Sequence, residues 1–322
     1  MTTVSEWWMW VVFIVFISIM LAIDLFLFNG RKVHRVSTRE ALFWSLAWIA
    51  LALLFNLLFW LYIYQTTSPI VANEKALEFL TGYIIEKSLS VDNIFVILMI
   101  FNYFSIPEEY HRRVLMYGVI GAIVLRFIFI TLGIWMISKF HWILYLFGLF
   151  LMITGIRILI FAENKPDISK NIILNWMQNH LRITEKLHGE KFFIRNHNLL
   201  YFTPLFLVLI LVELSDVIFA IDSIPAIFAV TNDPFIVFTS NIFAILGLRA
   251  LYFLVINMHN RFHLLKYGLA FILVFVGLKM LIADWFKIPV FIALAIIIFT
   301  LSLCIGLSSY HIYRLPRKKR KS

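Results

Sequence analysis

The stretch LVLILVELSDVIFAIDSIPAIFAV at 207–230 is apolar enough to cross a bilayer, yet it carries Glu213, Asp216 and Asp222. A second stretch of the same kind, GYIIEKSLSVDNIFVILMIF at 82–101, carries Glu86, Asp92 and Asn93. An ionised side chain near a bilayer centre costs roughly 2.5–3.5 kcal/mol even on insertion scales, so these acids need partners, protons or bound cations. Such residues point first to a cation pathway.

Around these two segments the chain reads as membrane protein throughout. It is 62% hydrophobic and 17% aromatic, with a mean hydropathy of +0.91, and cannot cover itself with polar surface. The expected fold is all-α, a polytopic helix bundle forming one transmembrane transporter domain over 1–322. Apolar windows centre on 7–28, 40–62, 77–104, 114–137, 142–161, 202–229, 238–257, 267–283 and 288–310, which predicts about nine spans. Most of the 28 Lys and Arg fall in alternate connecting segments: Arg31 to Arg39, Arg112 and Arg113, the 162–201 loop, Arg261 with Lys266, and the RLPRKKRKS tail. The positive-inside rule then places the amino terminus outside, with the 162–201 loop and the carboxyl terminus in the cytoplasm. The net charge of +10 is accounted for by this topology signal and by contact with anionic lipid, so nucleic acid is not an expected partner. The first span lacks a preceding basic stretch and a small-residue cleavage site, and reads as a retained helix. A single cysteine, Cys304, excludes disulfides and thiolate metal cages within one chain.

The two acid-bearing stretches also suggest an internal repeat. DNIFVI from Asp92 aligns with DVIFAI from Asp216, Arg126 in VLRFIF aligns with Arg249 in GLRALY, and Arg157 aligns with Lys279. The offset barely drifts across three spans, an odd number, which predicts a 3+3 inverted repeat of spans 3–5 (77–161) and 6–8 (202–283). Chance matching in a Phe- and Ile-rich chain is the competing explanation.

At about 100° per residue, Glu213, Asp216, Ala220 and Ser223 share one side of their helix, and Asp222 lies opposite Glu213. Pro225 suggests a kink that would swing Asp222 inward and free backbone carbonyls. Glu86, Ser90 and Asn93 form a similar stripe, with Asp92 on the neighbouring arc. The candidate metal ligands are therefore Glu86, Asp92, Asn93, Glu213, Asp216 and Asp222. Carboxylate, amide and hydroxyl oxygens without His or Cys suit a hard cation such as Mn²⁺, Ca²⁺ or Mg²⁺, bound as cargo with no tightly held cofactor. Arg126 and Arg249 are available to pair with acids when metal is absent. A purely structural ion-pair network is the alternative, and it leaves a surplus of negative charge. Lys87 is read either as a partner of Glu86 or as snorkelling to the interface. In the long loop, Ile172, Ile173, Trp176, Met177 and Leu181 have helical apolar spacing, and KFFIRNHNLLYF reads as a short hairpin.

EKSLSVDN at 86–93, VELSDVIFAIDSIPAIFAVT at 212–231, SNIFAILGLRALYF at 240–253 and YGLAFILVFVGLKMLI at 267–282 resemble the TerC family of membrane proteins over essentially the whole chain. The resemblance implies divalent metal export, chiefly manganese, with Glu86, Asp92, Glu213, Asp216 and Asp222 carrying the metal. An acid-lined cavity disfavours the oxyanion that the family's historical link to tellurium would require. The leading expectation is a secondary transporter of the inner membrane that exports Mn²⁺, or Ca²⁺, in exchange for protons. No nucleotide-binding loop is present to supply an ATP motor. Two other functions stand beside it: metal delivery to exported proteins or their secretion machinery, and an intramembrane aspartyl protease. The protease is disfavoured because no GxGD, GxSG or HExxH string occurs, so the chain is expected not to be an enzyme.

Overall fold

The computed structural model describes residues 5–29, 37–140, 142–160, 174, 176–177, 180–184, 186–196, 199–256, 265–286 and 288–314. The apolar runs form α1 (Trp7–Asn29), α2 (Thr38–Thr66), α3 (Pro69–Tyr103), α4 (Glu108–Lys139) and α5 (Ile143–Ile160). A two-stranded hairpin follows, β1 (Phe193–Asn196) and β2 (Leu199–Phe202), and then α6 (Pro204–Phe228), α7 (Pro234–Leu246), α8 (Leu248–Ile256), α9 (Leu265–Leu281) and α10 (Val290–Arg314).

Short polar side chains set several helix starts by accepting hydrogen bonds from backbone N–H groups that lack a helical partner. Ser37 accepts from the N–H of Glu40 at 3.2 Å to open α2. Ser68 accepts from Val71 at 3.4 Å before α3, and Asp233 from Phe235 at 3.0 Å before α7. Pro69, Pro204 and Pro234 each occupy a first-turn position, where the missing N–H is not needed.

The burial pattern shows which helices are central. Every residue of α7 from Phe235 to Leu246 is buried. A helix that is apolar all round is stable only inside a bundle. One buried cluster joins Phe13, Phe59, Phe79, Ile227, Phe235 and Phe243. A second, nearer the hairpin, joins Ile100, Phe101, Leu115, Leu205, Leu211 and Tyr252. Residues exposed on the outer helices are instead large and apolar, among them Leu57, Trp135, Ile153 and Phe299. With backbone hydrogen bonds closed within helices, such a surface suits hydrocarbon. Helices α5 and α9 approach through glycines: a Cβ on Gly277 would lie 2.6 Å from the Gly148 carbonyl, and one on Gly155 would lie 2.7 Å from that of Ala270. Small residues permit this backbone contact in the absence of a hydrophobic drive between membrane helices.

The expected hairpin is present, with Phe193 opposite Phe202 and Asn196 opposite Leu199. It is tied down at both ends. The Thr203 hydroxyl donates to the Lys191 carbonyl at 2.7 Å, and Arg113 of α4 pairs with Glu190 at 2.8 Å. Of the apolar positions read in the long loop, Met177 is buried in the same cluster as Leu205 and Leu181 packs against that cluster, whereas Trp176 is exposed. Ile172 and Ile173 lie outside the described residues.

Two fold expectations are corrected. Among the described residues five helices, α2, α4, α5, α6 and Val290–Ser308 of α10, are long and apolar enough to span, or up to six if α7 and α8 form one bent span, rather than nine. Trp7–Ala22 and Tyr267–Leu281 are shorter apolar helices, and α3 runs for 35 residues with charges along it. Hydropathy counts apolar runs and does not register that α3 is buried by its neighbours. The inverted repeat of spans 3–5 and 6–8 is not borne out either. Helices of 35, 32 and 18 residues in the first half face 25 residues, a pair of 13 and 9 broken by a 40° bend, and 17 residues in the second. Six-residue matches between apolar helices did not carry equivalent structure. Pro225 also departs from expectation: α6 continues through it to Phe228, and the chain bends instead at Gly247.

Candidate functional site

Four helices converge on one guanidinium. Arg126, at the middle of α4 and 1% exposed, donates through Nε and Nη2 to the two oxygens of Asp216 on α6, at 3.2 and 3.0 Å. Its Nη1 donates to Glu86 of α3, to Ser223 of α6 at 3.2 Å and to Asn241 of α7 at 2.9 Å. Asn241 in turn donates from Nδ2 to the other Glu86 oxygen at 3.4 Å. Glu86 is fully buried, and its backbone carbonyl accepts the Ser90 hydroxyl at 2.8 Å. The fork geometry of Arg suits such bidentate carboxylate pairing, and its charge persists at any physiological pH. Two carboxylates against one guanidinium leave a net negative centre.

Next to this ion-pair cluster lies a cavity of about 20 Å³ bounded by Asn93, Ser215, Asp216, Glu213 and Gly118. That volume holds about one water-sized particle. Two of the residues that border it carry a buried oxygen with no hydrogen-bond partner among the described residues: Glu213 Oε2 and Asn93 Oδ1. Asn93 is only 3% exposed. The carboxylate of Glu213 fits because α4 presents glycine there. A Cβ on Gly121 would run into the carboxylate, and one on Gly118 would lie 4.0 Å from Oε1. An unpartnered buried acceptor is costly, so two beside one small cavity call for a donor or a cation.

The sequence-derived candidates therefore separate. Glu86 and Asp216 are joined through Arg126, and Glu213 and Asn93 sit beside Asp216 at the cavity. Asp222 is not brought to this cluster. Six residues beyond Asp216 on an unbroken helix it points about 240° round the axis, where its carboxylate meets the hydroxyl of Thr154 on α5. The side chain of Asp92 lies outside the described residues. Arg249 does not mirror Arg126, and instead borders a small cavity with Trp48, Met116 and Leu246. Among the described residues no group of three or more His, Cys, Asp or Glu is arranged to hold a metal ion. Periodicity missed Asn241, Gly118 and Gly121. An amide in the apolar run SNIFAILG was a usable signal for the first, whereas nothing in the sequence tells a packing glycine from one that makes room for a carboxylate.

Two charged neighbours complete the setting. Lys87 neither pairs with Glu86 nor snorkels. Its ammonium donates to the Ala244 carbonyl at 3.4 Å, at the carboxyl end of α7, in space left by Gly247. The negative end of a helix dipole favours a cation there. Towards the start of α3, Glu78 pairs with Lys75 at 2.9 Å and accepts the Thr231 hydroxyl at 2.6 Å. These residues border a wider cavity of about 460 Å³ together with Asp233 and Lys279.

The sequence model described as the integral membrane protein TerC family matches residues 71–315. The putative membrane-bound redox modulator Alx of Escherichia coli (strain K12) is 54% identical over 319 residues, covering 99% of this chain and 99% of that protein. The protein of the same name from Shigella flexneri is also 54% identical over 319 residues, covering 99% of this chain and 100% of that protein. An uncharacterized membrane protein of Myxococcus xanthus, STKORF319, is 46% identical over 289 residues, covering 90% of this chain and 88% of that protein. No solved structure matches.

Proposed function

This chain belongs to the TerC family of integral membrane proteins, close to the bacterial Alx branch, and from that premise we propose that it exports a divalent metal ion, Mn²⁺ before Ca²⁺, across the inner membrane. It is a multi-pass inner-membrane protein. Its amino terminus is outside and its carboxyl terminus cytoplasmic in this reading, following the distribution of basic loop residues.

One observation carries the proposal: among the described residues Glu213 Oε2 and Asn93 Oδ1 are buried acceptors without partners, and both residues border, with Asp216, a cavity of about 20 Å³. Oxygen donors of this kind favour hard divalent cations over copper or zinc. Glu213, Asn93 and Asp216 would hold the cargo, and Glu86 would join them as it leaves Arg126. Protons are the natural counter-substrate, because clustered carboxylates can hold protons in one state and metal in another. The chain is a transporter in this reading and not an enzyme. A redox role of the kind named for the Alx relatives would be indirect here, since one cysteine cannot form a dithiol within a chain. Delivery of the same metal to exported proteins would use the same cavity.

The test is Mn²⁺ flux in liposomes containing only the purified chain, with and without a pH gradient. Flux that disappears in Glu213→Gln supports the reading. Vesicles with the intact chain that are no more permeable than protein-free vesicles would refute it.

A further inference from the structure

We propose that Arg126 is a tethered counter-cation which the cargo must displace, and that this exchange is the protein's valence filter. The inference rests on the metal-transport reading and goes beyond it by saying what sets selectivity at that site.

The guanidinium already occupies the place of a bound ion. It engages both oxygens of Asp216 and one of Glu86, with the remaining Glu86 oxygen satisfied by Asn241. A dication cannot be added to these carboxylates while a fixed positive charge lies between them, because the two repel in a medium of low dielectric. Removing the charge by deprotonation is not an option for arginine. The side chain has to move off the carboxylates as the ion moves on.

The site contains somewhere for it to stay. Nη1 touches two neutral acceptors besides Glu86, Ser223 at 3.2 Å and Asn241 at 2.9 Å. Both can keep a guanidinium hydrogen-bonded after the carboxylates are surrendered. Those two residues come from α6 and α7, so the displaced arginine remains at the helix junction. When the ion leaves, the carboxylates recover their partner without a second cargo entering.

Displacement by exchange discriminates by charge. A monovalent ion brings Glu86 and Asp216 no more charge than the guanidinium they already have, and it must give up its own freedom to bind. A divalent ion brings twice that charge and can win. Sodium and potassium, far more abundant than Mn²⁺, are thereby rejected without a narrow pore. The guanidinium also weakens the hold on the dication, which favours release.

The experiment compares the full chain with Arg126→Gln in nanodiscs, measuring Mn²⁺ affinity with and without excess NaCl, and Mn²⁺ flux in liposomes. Arg126→Gln should bind Mn²⁺ about tenfold more tightly, should lose Mn²⁺ from the site when NaCl is raised at constant ionic strength, and should move Mn²⁺ more slowly. The parent chain should keep its Mn²⁺ affinity under the same exchange of salts. Unchanged or weaker Mn²⁺ binding by a folded Arg126→Gln, or the same indifference to Na⁺ as the parent, overturns the filter. Should Arg126→Gln not fold, the pair Arg126→Gln with Glu86→Gln removes one charge of each sign, and Na⁺ must compete in that protein; if it does not, the filter is again overturned. A parent chain that neither binds nor moves Mn²⁺ defeats the transport reading itself, whereas a parent that does both beside an indifferent variant defeats only the role of Arg126.

Discussion

Arg126 holds Asp216 by both oxygens, at 3.0 and 3.2 Å, across the interface between α4 and α6. The same residue borders the cavity beside Glu213 and Asn93, whose Oε2 and Oδ1 have no partner among the described residues. Asp216 thus serves two masters, the packing of the bundle and the candidate cation site, and its substitutions should report on both.

Asp216→Asn leaves the guanidinium with one carboxylate in a buried setting, and breaking such a pair costs about 3–5 kcal/mol. The variant should unfold at lower temperature in detergent and lose Mn²⁺ efflux. Asp222→Asn removes no ion pair seen among the described residues, its carboxylate meeting the Thr154 hydroxyl, and its melting temperature should stay close to that of the parent. Equal destabilisation by the two would contradict the observed geometry.

Glu213→Gln should separate function from stability in the opposite sense. Its Oε2 has no partner among the described residues to lose, so expression and melting should hold while Mn²⁺ affinity falls by about tenfold or more. Loss of the protein from the membrane with normal export per molecule would rule out a ligand role.

Gly121→Ala places a methyl group where the Glu213 carboxylate now lies. Overpacking of this kind costs about 1–3 kcal/mol, and the carboxylate must leave its present position. Mn²⁺ binding should weaken nearly as much as in Glu213→Gln, although no ligand has been changed. Wild-type affinity in this variant would show that the position of Glu213 is immaterial.

Thr231→Val removes the 2.6 Å hydrogen bond that links the turn after α6 to Glu78 on α3. A net loss of about 1 kcal/mol is expected in thermal unfolding. Cysteine crosslinking across the cavity bordered by Glu78, Asp233 and Lys279 should become faster than in the parent. Unaltered rates would place no strain on that contact.

Membrane class and the acid-bearing helices were legible because charge inside a long apolar run is rare and expensive. The opposed directions of Glu213 and Asp222 were legible from the turn angle alone, and the error came from granting Pro225 the power to break a helix that continues to Phe228. Span number was not legible. Burial of α3 among its neighbours removes the need for it to read as lipid-facing, while Gly247 bends an otherwise continuous apolar run. Nor could the sequence choose between Arg126 and Arg249. Each sits in an apolar helix, and only tertiary packing places Glu86, Ser223 and Asn241 around the first and Trp48, Met116 and Leu246 around the second.

Glu86 and Lys87 are adjacent on α3, one bound to Arg126 and the other reaching the carbonyl end of α7 at the bend. One turn of α3 therefore ties the charge cluster to the end of α7. Lys87 thus sits at the end of α7 beside Gly247, where the chain direction changes by 40°. Beyond the bend, the Tyr252 hydroxyl of α8 reaches the His111 imidazole at 2.8 Å near the start of α4.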